Sequence, residues 1–219
     1  MFNRPILMPR GSCLLYSDES PDLVYGPLGR TTTTQKNLTA GEKEKSGAQW
    51  VNRFPTSRDV ADLKGDFKGD FKGKVQKFLA AIEAAGGSVS ISATYRPPER
   101  AYLMHYSNKI AKGKIAADKV PAMAGVDIDW VHDTEAKSKE AAQAMVKAYQ
   151  IVFQPALKSR HTVGAAIDMK VGKIVGKSVK NADGTSSKIV ELSDLHAVGQ
   201  TYGVIKLITD PPHWSDNGR

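Results

Sequence analysis

Between Val75 and Ala93 the spacing of apolar residues changes once, and the change falls on Gly86–Gly87. Val75, Phe78, Leu79 and Ile82 recur on one helical face, whereas Val89, Ile91 and Ala93 alternate as on a strand with one face inward. A glycine pair is a natural stop for the first element. Pro97 and Pro98 reset the chain, and ERAYLMHYSNKIAKG then reads as a second helix ending near Gly113. TEAKSKEAAQAMVKAYQIVF places Ala142, Met145, Val146 and Tyr149 on one stripe, which predicts a third and longer helix. Beyond Pro155, HTVGAAIDMKV suggests a strand, and VGKIVGKSVKNADGTSSKIVEL a hairpin turning at NADG. SDLHAVGQTYG reads as a short helix with Ser193 as N-cap, and VIKLI as a last strand before DPPHW. Helices come first and antiparallel strands dominate later, so the predicted class is α+β.

Residues 1–58 are rich in Pro, Gly, Thr and Ser and keep neither period for long. They read as an irregular N-terminal extension, with short strands expected around Leu14–Tyr16 and Leu23–Tyr25, ahead of a domain spanning 59–219. The tandem GDFKGDFK at 65–72 is too short for a solenoid. Cys13 is the single cysteine, so no intramolecular disulfide forms and any metal site must be built from His and carboxylates. An excess of 31 Lys and Arg over 23 Asp and Glu gives a formal charge of +8. That balance suits a polyanion, including an anionic cell envelope. The lysines are scattered and no aromatics interleave with Arg, so a solvated basic surface is favoured over a nucleic-acid site. No apolar run is long enough to span a bilayer. The start of the chain does not read as a secretion signal, because Pro9 and Arg10 cut its apolar stretch.

Five histidines occur, and two stand in informative contexts. His161 opens HTVGAAID, where Gly164, Ala165 and Ala166 allow close approach and Asp168 comes seven residues later. His213 lies in DPPHW, stiffened by two prolines, with Asp210 three residues upstream. Two imidazoles and a carboxylate are a well-attested ligand set for a catalytic zinc. Hydrolysis also needs a base, for which Asp210 is best placed, and a cation for charge growing on a carbonyl oxygen, which Arg96 would supply. The HExxH motif is absent.

SRHTVGAAIDM resembles the SxHxxGxAxD motif of the peptidase M15 family, DPPHW its (D/E)xxH motif, and TYRPPER its upstream Tyr-Arg segment. This family contains zinc D,D-carboxypeptidases of the VanX and VanY types and L-alanyl-D-glutamate endopeptidases. The resemblance covers roughly residues 75–215, and the order Arg, His, Asp, base, His matches. It implies that His161, Asp168 and His213 bind Zn2+, that Asp210 is the general base, and that Arg96 stabilises the transition state. Ser159 and Tyr95 would contact substrate, and Trp214, next to a ligand, would wall the site. The implied fold is the Hedgehog/D,D-peptidase type, a central antiparallel sheet with flanking helices. The stretch 99–158 is long for the compact members.

The remaining candidates favour structural roles. Asp127, Asp129, His132 and Asp133 match no trusted metal loop, and alternating Val126, Ile128 and Trp130 suggest an extended segment. His105 reads as packing or surface, and His196 as a neighbour of the metal ligands at most. The expected function is zinc-dependent hydrolysis of a peptidoglycan stem peptide, with an L-Ala–D-Glu cut favoured and a D-Ala–D-Ala cut open. The alternative is a non-catalytic zinc module of the same fold that binds the cell wall. The expected chain is monomeric and binds no nucleic acid. It would be made in the cytoplasm and act in the periplasm or wall after delivery, as a phage endolysin or an injected effector.

Overall fold

The structure, a computed structural model, describes residues 42–64 and 70–219, which belong to one compact unit. The strands expected near residues 14–16 and 23–25 lie outside the described residues, as does most of the tandem repeat. In chain order the elements are β1 (Glu44–Lys45), α1 (Phe71–Ala84), β2 (Ser88–Ala93), α2 (Pro98–Ala111) and β3 (Ile128–Asp129). They continue with α3 (Glu135–Ala148), β4 (Ala166–Gly172), β5 (Ser178–Lys180), β6 (Ser186–Lys188), α4 (Asp194–Thr201), β7 (Ile205–Lys206) and β8 (His213–Ser215). Helices and an antiparallel central sheet together give the expected mixed class.

The central sheet has the order β2-β4-β8-β7, antiparallel throughout. Successive side chains on a strand point to opposite faces. In this sheet, Ile167 and Met169 of β4 and Trp214 of β8 turn to one side. There they pack with Val75, Phe78 and Ile82 of α1 and Leu195 and Val198 of α4. Asp168 and His213 stand directly opposite each other in the register and face the other way. This alternation is what separates a greasy face from a chemical one.

α1 begins at Phe71, four residues before the first of the apolar positions, Val75, because the Asp70 carboxylate caps it by accepting the Gly73 N–H at 2.9 Å. β2 runs as predicted up to Ile91, which stands opposite Met169. Beyond it the register shifts at a bulge, so that Ala93 stands opposite Asp168. Uninterrupted alternation would set Ala93 against Ile167. A bulge inserts one residue and re-aims the chain beyond it, which in this strand means Thr94 to Arg96.

Several expectations are corrected. α3 is not longer than its predecessors: α1, α2 and α3 have 14 residues each. Gln150, at φ 55°, ends the helical run. The strand predicted from His161 starts only at Ala166, because His161–Val163 form a short 3-10 turn closed by Gly164 at φ 69°. Ser193 already has helical dihedrals and caps nothing. Its hydroxyl donates to Glu191, and the Asp194 carboxylate accepts the Val190 and Glu191 N–H groups instead. VIKLI contributes only Ile205–Lys206, and a further strand comes after it with His213 at its start.

A second apolar cluster joins α2 and α3 to residues on the N-terminal side of the predicted domain boundary. Trp50 is 1% exposed and packs with Tyr102, Leu103, Trp130, Met145 and Tyr149. Its indole N–H donates to the Lys45 carbonyl, and the Arg53 guanidinium lies 4.0 Å from its ring centroid. β1 pairs with β3 in parallel, and Lys45 reaches Asp129 at 2.7 Å. Residues 42–58 therefore supply part of this core. Trp50→Ala is expected to destabilise the protein by about 3–5 kcal/mol, measured as a shift in urea midpoint.

Candidate metal centre

Three ligating atoms converge on the face of the sheet turned away from the α1 core. His161 Nε2 is 3.0 Å from Asp168 Oδ1 and 3.1 Å from His213 Nδ1, and His213 Nδ1 is 3.1 Å from Asp168 Oδ1. Both histidines are buried, at 4% and 6% exposure. Among the described residues these three form a group able to hold a metal ion. Each arrives from a different element: His161 from the 3-10 turn, Asp168 from mid-β4 and His213 from the first position of β8.

The outer nitrogens show what the inner ones carry. His161 Nδ1 lies 2.7 Å from the Thr94 carbonyl oxygen, and His213 Nε2 lies 3.1 Å from the main-chain oxygen of Arg219. Such oxygens only accept, so each imidazole donates its outer N–H to one of them, and the inner nitrogen is the one left to face a metal. For Asp168, burial pushes the carboxyl pKa up, but hydrogen bonds and charge from His161 and His213 outweigh it and hold the group well below the usual carboxylate range. Three such atoms about 3 Å apart need positive charge among them, either a proton or a metal ion. Outward hydrogen bonds of this kind commonly fix the ring orientation of metal-bound histidines. The donor set therefore fits a metal.

Local sequence explains the convergence. Gly164, in the left-handed region, brings its carbonyl to the Lys64 N–H at 2.9 Å, and a Cβ there would lie 2.9 Å from the Lys64 nitrogen. The turn is thus anchored to the segment before α1. The Arg96 N–H donates to the His161 carbonyl at 3.1 Å, tying the bulged end of β2 to the same turn.

A cleft of about 600 Å³ opens over the group and is lined by Arg96, Ser159, His161, Asp210 and His213 among others. Burial lowers the Arg96 pKa, the Asp168 charge opposes that, and Arg100 adds to it; an arginine stays charged regardless. Arg96 Nε and Ser159 Oγ are buried without a hydrogen-bond partner among the described residues. Asp210 is solvent-exposed on the cleft wall. The cleft thus assembles Arg96, Asp210 and Ser159 around the predicted ligands.

Two expected contacts fall elsewhere. Tyr95 does not line the cleft, and its ring lies 4.6 Å from Lys64 Nζ. Trp214 is not a wall of the site. As the residue after His213 on β8 it points to the opposite face, 5.4 Å from the Phe78 ring and 5.6 Å from that of His196. His196 stays with Trp214 on that side. The acidic segment is structural: Asp129 pairs with Lys45, Asp133 with Lys137, and His132 Nε2 meets Ser46 Oγ at 3.0 Å. His105 Nδ1 lies 2.7 Å from the Pro155 carbonyl.

Sequence reasoning missed the cationic rim. Lys158, Arg160 and Arg219 also line the cleft, and Arg160 is ion-paired with Asp216. Lys158 and Arg160 flank Ser159 and were findable as neighbours of the His161 motif. Arg219 carried no local signal.

Fold and site together define an α+β protein with a His-Asp-His group suited to a metal ion. No family model matches the chain, and no curated protein matches it. Among solved structures it is similar to a vancomycin-resistance D,D-pentapeptidase, VanY, of a VanB-type cassette in complex with Zn(II). Identity is 22% over 74% of this chain and 79% of that one, with a TM-score of 0.33. VanYB in complex with D-alanine-D-alanine matches at 23% identity over 78% of this chain and 84% of that one, also at 0.33. At these values the reading of the site rests on its own geometry. Asp168→Asn should weaken zinc binding by more than the roughly 10–100-fold that loss of an outer hydrogen-bond partner costs, read by competition with a chromophoric chelator.

Proposed function

We propose that this chain is a zinc-dependent peptidase that hydrolyses a bond in the stem peptide of bacterial peptidoglycan. The observation that carries the reading is the pair of outward-pinned imidazoles that meet the Asp168 carboxylate and line a cleft together with Arg96 and Asp210. Two nitrogens and one oxygen favour zinc over calcium or magnesium, which prefer all-oxygen shells.

A zinc held there supplies Lewis acidity, acidifying water and polarising the carbonyl to be attacked. Asp210, exposed on the cleft wall, accepts the proton of the attacking water and returns it to the leaving amine. Arg96 directs its unspent Nε–H and its charge to the oxygen on which negative charge grows. Ser159, with a buried and unpartnered hydroxyl, offers one further hydrogen bond to substrate. Lys158 and Arg219 make the rim cationic, which suits a peptide bearing free carboxylates, as stem peptides do. Within the peptidase M15 family that the motifs resemble, Asp rather than Glu as the base goes with the L-Ala–D-Glu bond, and D-Ala–D-Ala is the other candidate. Such an enzyme works in the periplasm or wall after delivery. No helix among the described residues is long and apolar enough to cross a membrane.

Purified sacculi incubated with the protein should yield new termini identifiable by mass spectrometry: a D-Glu amine for the first bond, released D-Ala for the second. Chelation should abolish release and zinc restore it. Asp210→Asn should lower kcat by about 10²–10⁴-fold and Arg96→Met by about 10²–10³-fold, each with zinc content unchanged. Equal yields from native, chelated and Asp210→Asn protein would exclude the mechanism. One zinc per chain without any cleavage would instead indicate a wall-binding module.

A further inference from the structure

Asp210 sits in the loop LITDPP at 207–212 between β7 and β8, and His213 follows it as the first residue of β8. That loop is short of donors, because Pro211 and Pro212 carry no N–H. Its carbonyls nevertheless gather on one point. Lys206 Nζ donates to the Leu207 oxygen at 2.5 Å, the Asp210 oxygen at 2.5 Å and the His213 oxygen at 2.9 Å. An ammonium has three N–H bonds, and all three are used.

The same carbonyls also close the loop's own backbone ladder. Leu207 O accepts from Asp210 N at 3.2 Å, Asp210 O from His213 N at 3.0 Å, and His213 O from Leu207 N at 3.1 Å. Each oxygen thus takes two hydrogen bonds, one from an amide and one from the single cation. The stem of Lys206 lies beside Trp214, with Nζ 5.7 Å from its ring centroid, and Lys206 does not line the metal cleft. It touches neither the converging ligand atoms nor the space above them.

We propose that Lys206 is a positioning residue for the metal centre: by binding the carbonyls of Leu207, Asp210 and His213 at once, it sets the backbone of the proton acceptor against that of the third metal ligand. The inference rests on the reading of the site as a zinc peptidase centre. In this loop the ammonium gives each of the three carbonyls a second hydrogen bond beside the one from a backbone amide. Charge-assisted bonds are roughly twice as strong as neutral ones, so the conformation of the loop is fixed from beneath. His213 then meets Asp168 and His161 already oriented, and Asp210 lines the cleft from a fixed backbone.

The test uses the full chain with Lys206→Met, which keeps length and removes the donors, Lys206→Arg, which keeps charge and donors, and Lys170→Met, which removes a like charge from the pocket that both lysines line. Three quantities are read: the zinc dissociation constant by chelator competition, the visible absorption of the Co(II)-substituted protein, and kcat against KM on a cleavable stem peptide. Lys206→Met should raise the dissociation constant about 10–100-fold, alter the Co(II) band and lower kcat with KM little changed. Lys206→Arg should recover part of each, and Lys170→Met should leave all three as in the parent. A Lys206→Met protein of lower melting temperature but parental zinc affinity and Co(II) spectrum overturns the proposal, since Lys206 would then serve stability alone. Should Lys206→Met fail to fold, Lys206→Gln, with two donors, is read by the same criteria. A parent chain that takes up no zinc overturns the reading of the site itself, an outcome distinct from either of these.

Discussion

The pairing of β4 with β8 sets Asp168 directly opposite His213, and most of what is distinctive in this structure depends on that register. Because side chains alternate, the same pairing sends Ile167 and Trp214 to the other face, where α1 and α4 cover them. One residue of slip would bury the carboxylate against Phe78 and expose Trp214. Packing of the apolar face therefore protects the geometry of the polar one. Core and site are two readings of one alternation.

His161 is brought in by a different device. Its turn is held from the Lys64 side through Gly164, and from the β2 side through the Thr94 and Arg96 backbone. The bulge after Ile91 is what presents Thr94 to the imidazole. Without that inserted residue the strand would continue its alternation and the carbonyl that fixes the His161 tautomer would point elsewhere. The electrostatics come from the same arrangement: burial would raise the Asp168 pKa, but hydrogen bonds and charge from the two imidazoles keep it ionised in a largely buried place.

Much of this was legible from residue order. Periodicity located α1, β2, α2 and α3, because burial on one face leaves a 3.6 or a 2.0 repeat regardless of distant partners. The hairpin turn at 181–184 was legible from its Asn, Asp and Gly. Motif spacing located His161, Asp168 and His213, which the fold brings together, and Arg96 and Asp210, which line one cleft with the two histidines. Periodicity failed where a single backbone conformation intervened: Gly164 at positive φ delayed β4, and Gln150 stopped α3. Adjacency failed too. Trp214 is next to His213 in the chain and on the opposite face in the sheet.

By itself the sequence determined which atoms are available to a metal, since one cysteine leaves only His and carboxylate donors, and it determined the order of helices and strands. Only the tertiary structure decided which nitrogen of each imidazole faces inward, because the acceptors that fix them, Thr94 and Arg219, lie 67 and 6 residues away and contribute main-chain oxygens that every residue possesses. It likewise decided that Trp50 belongs to the core, that a cationic rim surrounds the cleft, and that one lysine gathers the loop beneath it. Backbone carbonyls carry no side-chain signature, so contacts made to them are invisible until the chain is folded.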